Sequence, residues 1–229
     1  MKRSLVCSLL ALPILAGTAV AQTPVNLNTW TAQSYPAVSG FSPGVWTVAP
    51  DGSSVLQSVN GQPTMFASDF NAQGTAVKGK IRVNNGAGDD DFIGFALGYN
   101  LGDNTNASAD YLLLDWKRAT QFFDFGAPAN TTPGGNAAAG LAVSRVTGTP
   151  TADEFWQHAD LIGNPTGGLQ QLQRGSTLGA TGWNFGTEYE FSFVSPANSL
   201  HVSVDDVLEA DTLLRIAVRP AIAFASGQP

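Results

Sequence analysis

The sequence predicts an all-β fold, a sandwich or closed barrel of short strands. Three observations lead there. Apolar and polar residues alternate with period two in several separate runs. The 25 glycines and 13 prolines fall largely in turn-like settings between such runs. Only 13% of the 229 residues are charged, against roughly 25% in ordinary domains, while 43% are hydrophobic. A sizeable core can form, but coiled coils, helical bundles and charged disordered tails are excluded.

Residues 1–21 read as a signal peptide cleaved after Ala21, which predicts a secreted, extracellular protein. Lys2 and Arg3 precede the short apolar stretch Leu5 to Ala16, and Ala19-Val20-Ala21 is a small-residue cleavage site. The single cysteine, Cys7, leaves with that peptide, so the mature chain contains no disulfide. Loss of Lys2 and Arg3 leaves nine bases against eighteen acids, a formal charge of −9. This balance disfavours nucleic acid as a partner. No later apolar run is long enough to span a membrane.

In the mature chain, residues 75–83 alternate Val77, Gly79, Ile81 and Val83 with Lys78, Lys80 and Arg82. Residues 91–99 put Ile93, Phe95, Leu97 and Tyr99 on one face and Phe92, Gly94, Ala96 and Gly98 on the flatter other. Residues 111–116 are apolar almost throughout, as in a strand covered on both faces. Residues 188–194 turn Tyr189, Phe191 and Phe193 inward. Residues 200–204 do the same with Leu200, Val202 and Val204, and Asp205-Asp206 reads as a tight hairpin turn. Further strand candidates are 45–49, 53–59, 63–68 and 141–146. Asn60-Gly61, Asn85-Gly86, Pro133-Gly134-Gly135 and Gly167-Gly168 read as turns. The best short helix is 152–159, with Asp153 and Glu154 suited to its first turn. The total is about ten to thirteen strands in one domain, residues 22–218, followed by an irregular tail at 219–229. Residues 102–110 and 127–140 read as longer loops.

The sharpest local feature is Asp89-Asp90-Asp91. Three adjacent carboxylates repel unless neutralised, which hard divalent cations do well; the other reading is a solvated strand start that blocks edge pairing. Asp89-Asp90-Asp91-Phe92-Ile93-Gly94-Phe95-Ala96-Leu97-Gly98-Tyr99, followed by Tyr111 to Trp116-Lys117-Arg118, resembles the C-terminal domain of thrombospondins, in its bacterial extracellular form. Phe155-Trp156-Gln157-His158 and Thr181-Gly182-Trp183 are similar to that family's Leu-Trp-His region and Gly-Trp turn. The resemblance implies a single legume-lectin-like jelly-roll β-sandwich, calcium (Ca2+) in the loops and a role in cell–matrix attachment. It carries Asp89, Asp90 and Asp91 over as calcium ligands. Asp103 and Asp110 join them as second candidates if the 102–110 loop folds toward the same end; Asp153 and Asp160 rank below. The segment from Leu213 to Pro220 departs from the family's closing strand, which predicts a lost or altered last strand and an unpaired neighbour.

The expected function is therefore a non-enzymatic calcium-binding module for cell adhesion or matrix contact, with an extracellular protein or glycan as partner. The alternative is a carbohydrate-binding lectin-like domain, and a glycosidase ranks third. Glu188 and Glu190 share a strand face and are expected to meet Lys78 or Lys80 rather than act in catalysis. The stripe Lys78, Lys80 and Arg82 reads as a solvated face. His201 points outward, and His158 reads as a hydrogen-bonded structural residue. Among the five tryptophans Trp116 is assigned to the core, and Trp183 is expected to be exposed.

Overall fold

A computed structural model describes residues 22–38, 40–68, 70, 75–85, 90–126, 134–161, 167–194, 199–213 and 222–227. The signal peptide and Asp89 lie outside the described residues. In chain order the strands are β1 (Thr31–Ser34), β2 (Trp46–Val48), β3 (Val55–Gln57), β4 (Thr64–Ala67), β5 (Ala76–Arg82), β6 (Phe92–Leu97), β7 (Asp110–Lys117), β8 (Gln121–Phe123), β9 (Gly135–Ala137) and β10 (Gly140–Gly148). Helix α1 (Ala152–Gln157) follows, then β11 (Gly167–Arg174), β12 (Glu188–Val194), β13 (Ser199–Val204), β14 (Val207–Leu213) and β15 (Ile222–Gly227). Among the described residues no helix is long and apolar enough to cross a membrane.

The architecture is a β-sandwich of jelly-roll type. One sheet has seven strands in the order β1-β4-β15-β6-β7-β10-β11, and the facing sheet has four, β14-β13-β12-β5. Two small ribbons, β2-β3 and β8-β9, flank them. Phe95, Leu112, Leu114, Trp116, Leu141 and Val143 from the large sheet meet Phe191, Phe193, Leu200, Val202 and Val204 from the small one. This layer is the main core, and burial of its apolar area is the chief stabilising term.

The large sheet is covered on its other face as well. Met65, Ala96, Tyr99, Tyr111, Leu113, Val146 and Leu169 pack there beneath Tyr35 and Phe155. Strand β7 is therefore buried on both faces, as its unbroken apolar run predicts. Helix α1 supplies part of the cover. Thr151 and Glu154 form a reciprocal capping box at its start, and the Phe155 ring stands edge-on to Tyr35 at 4.7 Å. The Asp205-Asp206 turn takes left-handed dihedrals at both residues, φ 49° and 64°, as a type I′ hairpin requires.

Three expectations are corrected. The tail at 219–229 is not irregular throughout: Ile222–Gly227 forms β15, which pairs with β4 on one side and β6 on the other. Its place is the middle of the large sheet, so β6 has no unpaired neighbour there. Gly167-Gly168 is not a turn but the start of β11; a Cβ on Gly168 would meet Asp160 Oδ1 at 2.6 Å, so glycine serves close approach. Within the 127–140 loop, residues 135–137 form β9 against β8, while 127–133 lie outside the described residues.

Strand β14 also ties the sandwich to the loop after β11. The Glu209 carboxylate accepts from the Thr177 amide at 2.9 Å, the Leu178 amide at 3.0 Å and the Thr177 hydroxyl. Burial pushes the Glu209 carboxyl up, and these hydrogen bonds more than reverse it, so it titrates below its ordinary value.

Two predictions follow from this arrangement. Removing residues 222–229 should abolish the cooperative thermal melt of the mature chain, and a truncated chain melting within a few degrees of the full one would contradict the central place of β15. Glu209→Gln should cost about 2 kcal/mol near neutral pH in urea unfolding. Because the folded carboxyl titrates low, this gap is fully present above the ordinary carboxylate range and closes as pH falls through the depressed folded value. A gap that is constant with pH would contradict the assignment.

Candidate functional site: the acidic turn and its cations

The register of β6 against β7 builds this site. Phe92 pairs with Lys117, which sets Asp90 and Asp91 just before β6 beside Lys117 and Arg118 at the end of β7. The Arg118 amide donates to the Asp90 carbonyl at 3.1 Å, extending the ladder by one bond.

Lys117 is 0% exposed. Its ammonium donates to the Asp90 carbonyl at 3.0 Å and to Gln121 Oε1 at 3.1 Å, and lies 3.7 Å from Asp91 Oδ1. It stands 4.2 Å from the centre of the Trp156 ring and 5.2 Å from that of Phe92. A buried ammonium is costly unless paired and hydrogen-bonded, and here it is both, with two aromatic faces added. The Arg118 guanidinium pairs with the Asp90 carboxylate and stacks 4.5 Å from the Phe185 ring centre.

A loop from the far side closes the turn. Trp183 is 2% exposed, contrary to the expected surface position, and its Nε1 donates to the Asp91 carbonyl at 2.9 Å. Its Gly-x-Asn setting suggested exposure, but the glycine is there for contact: a Cβ on Gly182 would overlap the Arg118 carbonyl oxygen. Trp116 Nε1 donates to the Thr181 carbonyl at 2.6 Å. Behind the turn, His158 Nε2 lies 2.9 Å from Asp115 Oδ2, both side chains nearly enclosed. His158 caps α1 in the left-handed region at φ 52°. The structural reading of this histidine therefore holds.

The five expected calcium ligands are divided. Asp90 and Asp91 stand together, but each faces a cationic side chain. Asp103 shapes its own 3₁₀ turn: Oδ2 accepts from the Asn100 amide at 2.7 Å and Oδ1 from Asn106 Nδ2 at 3.0 Å. Asp110 is held bidentately by Arg145, Nε to Oδ1 at 2.9 Å and Nη2 to Oδ2 at 2.7 Å. Both lie past the opposite end of the β6–β7 ladder, whose five residue steps span about 17 Å. The 102–110 loop thus does not fold toward Asp90 and Asp91. Asp153 Oδ1 accepts from the Phe125 amide at 3.4 Å, and Asp160 lies against Gly168. Among the described residues no group of three His, Cys, Asp or Glu side chains is placed to hold a metal ion. Asp89 lies outside the described residues; the other four do not fit a calcium site, since the Lys117 ammonium stands beside Asp91, Arg118 beside Asp90, and Asp103 and Asp110 lie at the other end of the ladder.

The carboxylates weighed for glycoside chemistry are ion-paired on the outer face of the small sheet. Lys78 meets Glu190 and Lys80 meets Glu188, each at 2.8 Å. Hydrogen bonds from these lysines hold both glutamates below the usual carboxylate range. A glycosidase acid needs its pKa raised instead. One arrangement escaped the sequence reading. Ser199 Oγ lies 3.2 Å from His201 Nε2, and His201 Nδ1 lies 3.6 Å from Asp211 Oδ1. Only the pairing of β13 with β14 brings Asp211 opposite His201. The atoms follow the order of a nucleophilic relay, but on a flat, water-washed face, where bulk solvent rather than fixed dipoles would meet a developing charge.

No curated protein matches the chain. Among solved structures, the carbohydrate binding module CBM66 from Bacillus subtilis aligns with TM-score 0.48 and 10% identity, covering 82% of this chain and 87% of that one. A glycoside hydrolase family 16 endo-glucanase from Bacteroides ovatus aligns with TM-score 0.45 and 9% identity, over 88% and 84%. Sheep galectin-11 aligns with TM-score 0.38 and 11% identity, over 72% and 90%. A sequence profile of the thrombospondin C-terminal region matches residues 42–208, nearly three quarters of the chain. The span takes in the acidic turn, both cations and the Trp183 loop, and the chain belongs to the thrombospondin C-terminal region family.

Proposed function

We propose that this chain is an exported, non-catalytic recognition module that contacts an extracellular protein, in the sense of cell–matrix attachment. The observation that carries the reading is family membership across residues 42–208. The ion pairs of Glu188 and Glu190 support the non-catalytic part, since neither is free to work as an acid with a raised pKa. The pattern of residues 1–21 supports export. Asp90 and Asp91 already meet Arg118 and Lys117, so calcium is not part of this reading.

A second reading, glycan recognition, has one specific observation in its favour. Phe122 on the β8-β9 ribbon is 61% exposed. On the ribbon's other face Phe123 joins Phe41 and Phe125 in a partly exposed cluster with ring centres 4.8–5.8 Å apart. Aromatic faces of this kind suit the apolar face of a sugar ring.

Labelled mature chain applied to immobilised extracellular matrix proteins and to a glycan array separates the two. The leading reading expects saturable protein binding, unchanged in Phe122→Ala, and no array signal. An array signal that Phe122→Ala abolishes establishes the second reading instead. Retention on neither surface, or turnover of an oligosaccharide, contradicts both.

A further inference from the structure

We infer that Lys117 is the built-in cation of the acidic turn and takes the place in which the family resemblance expects a divalent ion. The inference rests on the geometry of the turn and is independent of which partner the module recognises.

Four features carry it. First, Lys117 is fully enclosed, so its charge has to be met locally rather than by water. Second, the groups that meet it are those of the turn itself: the Asp90 carbonyl at 3.0 Å and the Asp91 carboxylate at 3.7 Å. These are oxygen donors of the kind a hard cation would recruit. Third, the ammonium is confined. Trp156 stands at 4.2 Å and Phe92 at 5.2 Å, and Gln121 Oε1 accepts a further hydrogen bond at 3.1 Å. Each contact would be lost if the side chain swung aside for an ion. Fourth, the register leaves no slack, because Phe92 and Lys117 are direct cross-strand partners.

A divalent ion binding to Asp91 would therefore sit beside a buried positive charge at the distance of a close ion pair. It would also need six to eight oxygens, and the neighbouring Asp90 carboxylate is already paired with Arg118. The repulsion between Asp90 and Asp91 is relieved by two side chains that lie 26 and more positions further along the chain.

The prediction concerns metal dependence and coupling. The melting temperature of the mature chain should be the same within about 1 °C in millimolar calcium and in chelator. Lys117→Met should lower it by about 10 °C or more, since one partner of a buried pair is left uncompensated. Adding Asp91→Asn to Lys117→Met should recover part of that loss, because the coupled pair is then removed together. Lys117→Met melting like the unaltered chain overturns the inference, as does a double variant with no recovery. Should Lys117→Met fail to fold, terbium decides on the unaltered protein. Trp156 and Trp183 lie close enough to the turn to sensitise a lanthanide there. Tryptophan-sensitised terbium emission that Asp91→Asn removes would overturn the inference; its absence at millimolar terbium supports it.

Discussion

The buried ammonium of Lys117 is the interaction on which the rest of this end of the sandwich depends. It is the last residue of the central strand β7 and the cross-strand partner of the first residue of β6. One side chain thereby joins the acidic turn, the two central strands, helix α1 through Trp156, and the β8 ribbon through Gln121. Trp183 and Arg118 then close the turn from the small-sheet side. Desolvating a lysine is unfavourable in isolation. It is tolerated here because every direction around the ammonium offers a carbonyl, a carboxylate, an amide oxygen or an aromatic face. Such a pair does more to specify one geometry than to add net stability.

The second constraint is that the seven-stranded sheet is covered on both faces. A lectin-like sandwich can leave one face to water, and its strands then alternate cleanly. Here Tyr35, Phe155 and the aromatic rings around Trp156 shield the second face. Its middle is completed by β15, a segment far from its neighbours β4 and β6 in sequence. The small sheet behaves differently: its outer face carries Lys78, Lys80, Glu188 and Glu190 in exposed cross-strand pairs, which add little stability but keep that face solvated. The contrast leaves the exposed Phe122 and the charged outer face as two chemically distinct surfaces on one body.

Strands with a long period-two run were legible without any structure, and β5, β12 and β13 stand almost where alternation puts them. So was β7, through its apolar run, and α1, through its acidic first turn. Strands β1, β8 and β9 have three or four residues each and no period to detect; pairing alone defines them. Gly167-Gly168 and Gly182 misled for a single reason. Glycine permits a turn and also permits close packing, and composition does not distinguish the two. The acidic triplet was legible as a site of strong repulsion. Its neutralising partners were not, because Lys117 and Arg118 reach it only through the β6–β7 register. The same register separates Asp103 and Asp110 from the turn, and the sequence alone could not set the direction of their loop.

The most direct test of the central claim is a high-resolution crystal structure of the mature chain grown in calcium, with anomalous data collected for that ion. The account predicts the Lys117 ammonium against the Asp90 carbonyl and the Asp91 carboxylate, enclosed by Trp156 and Phe92, with no anomalous peak between them. An anomalous peak coordinated by Asp91, with the Lys117 side chain displaced from the turn, would contradict it.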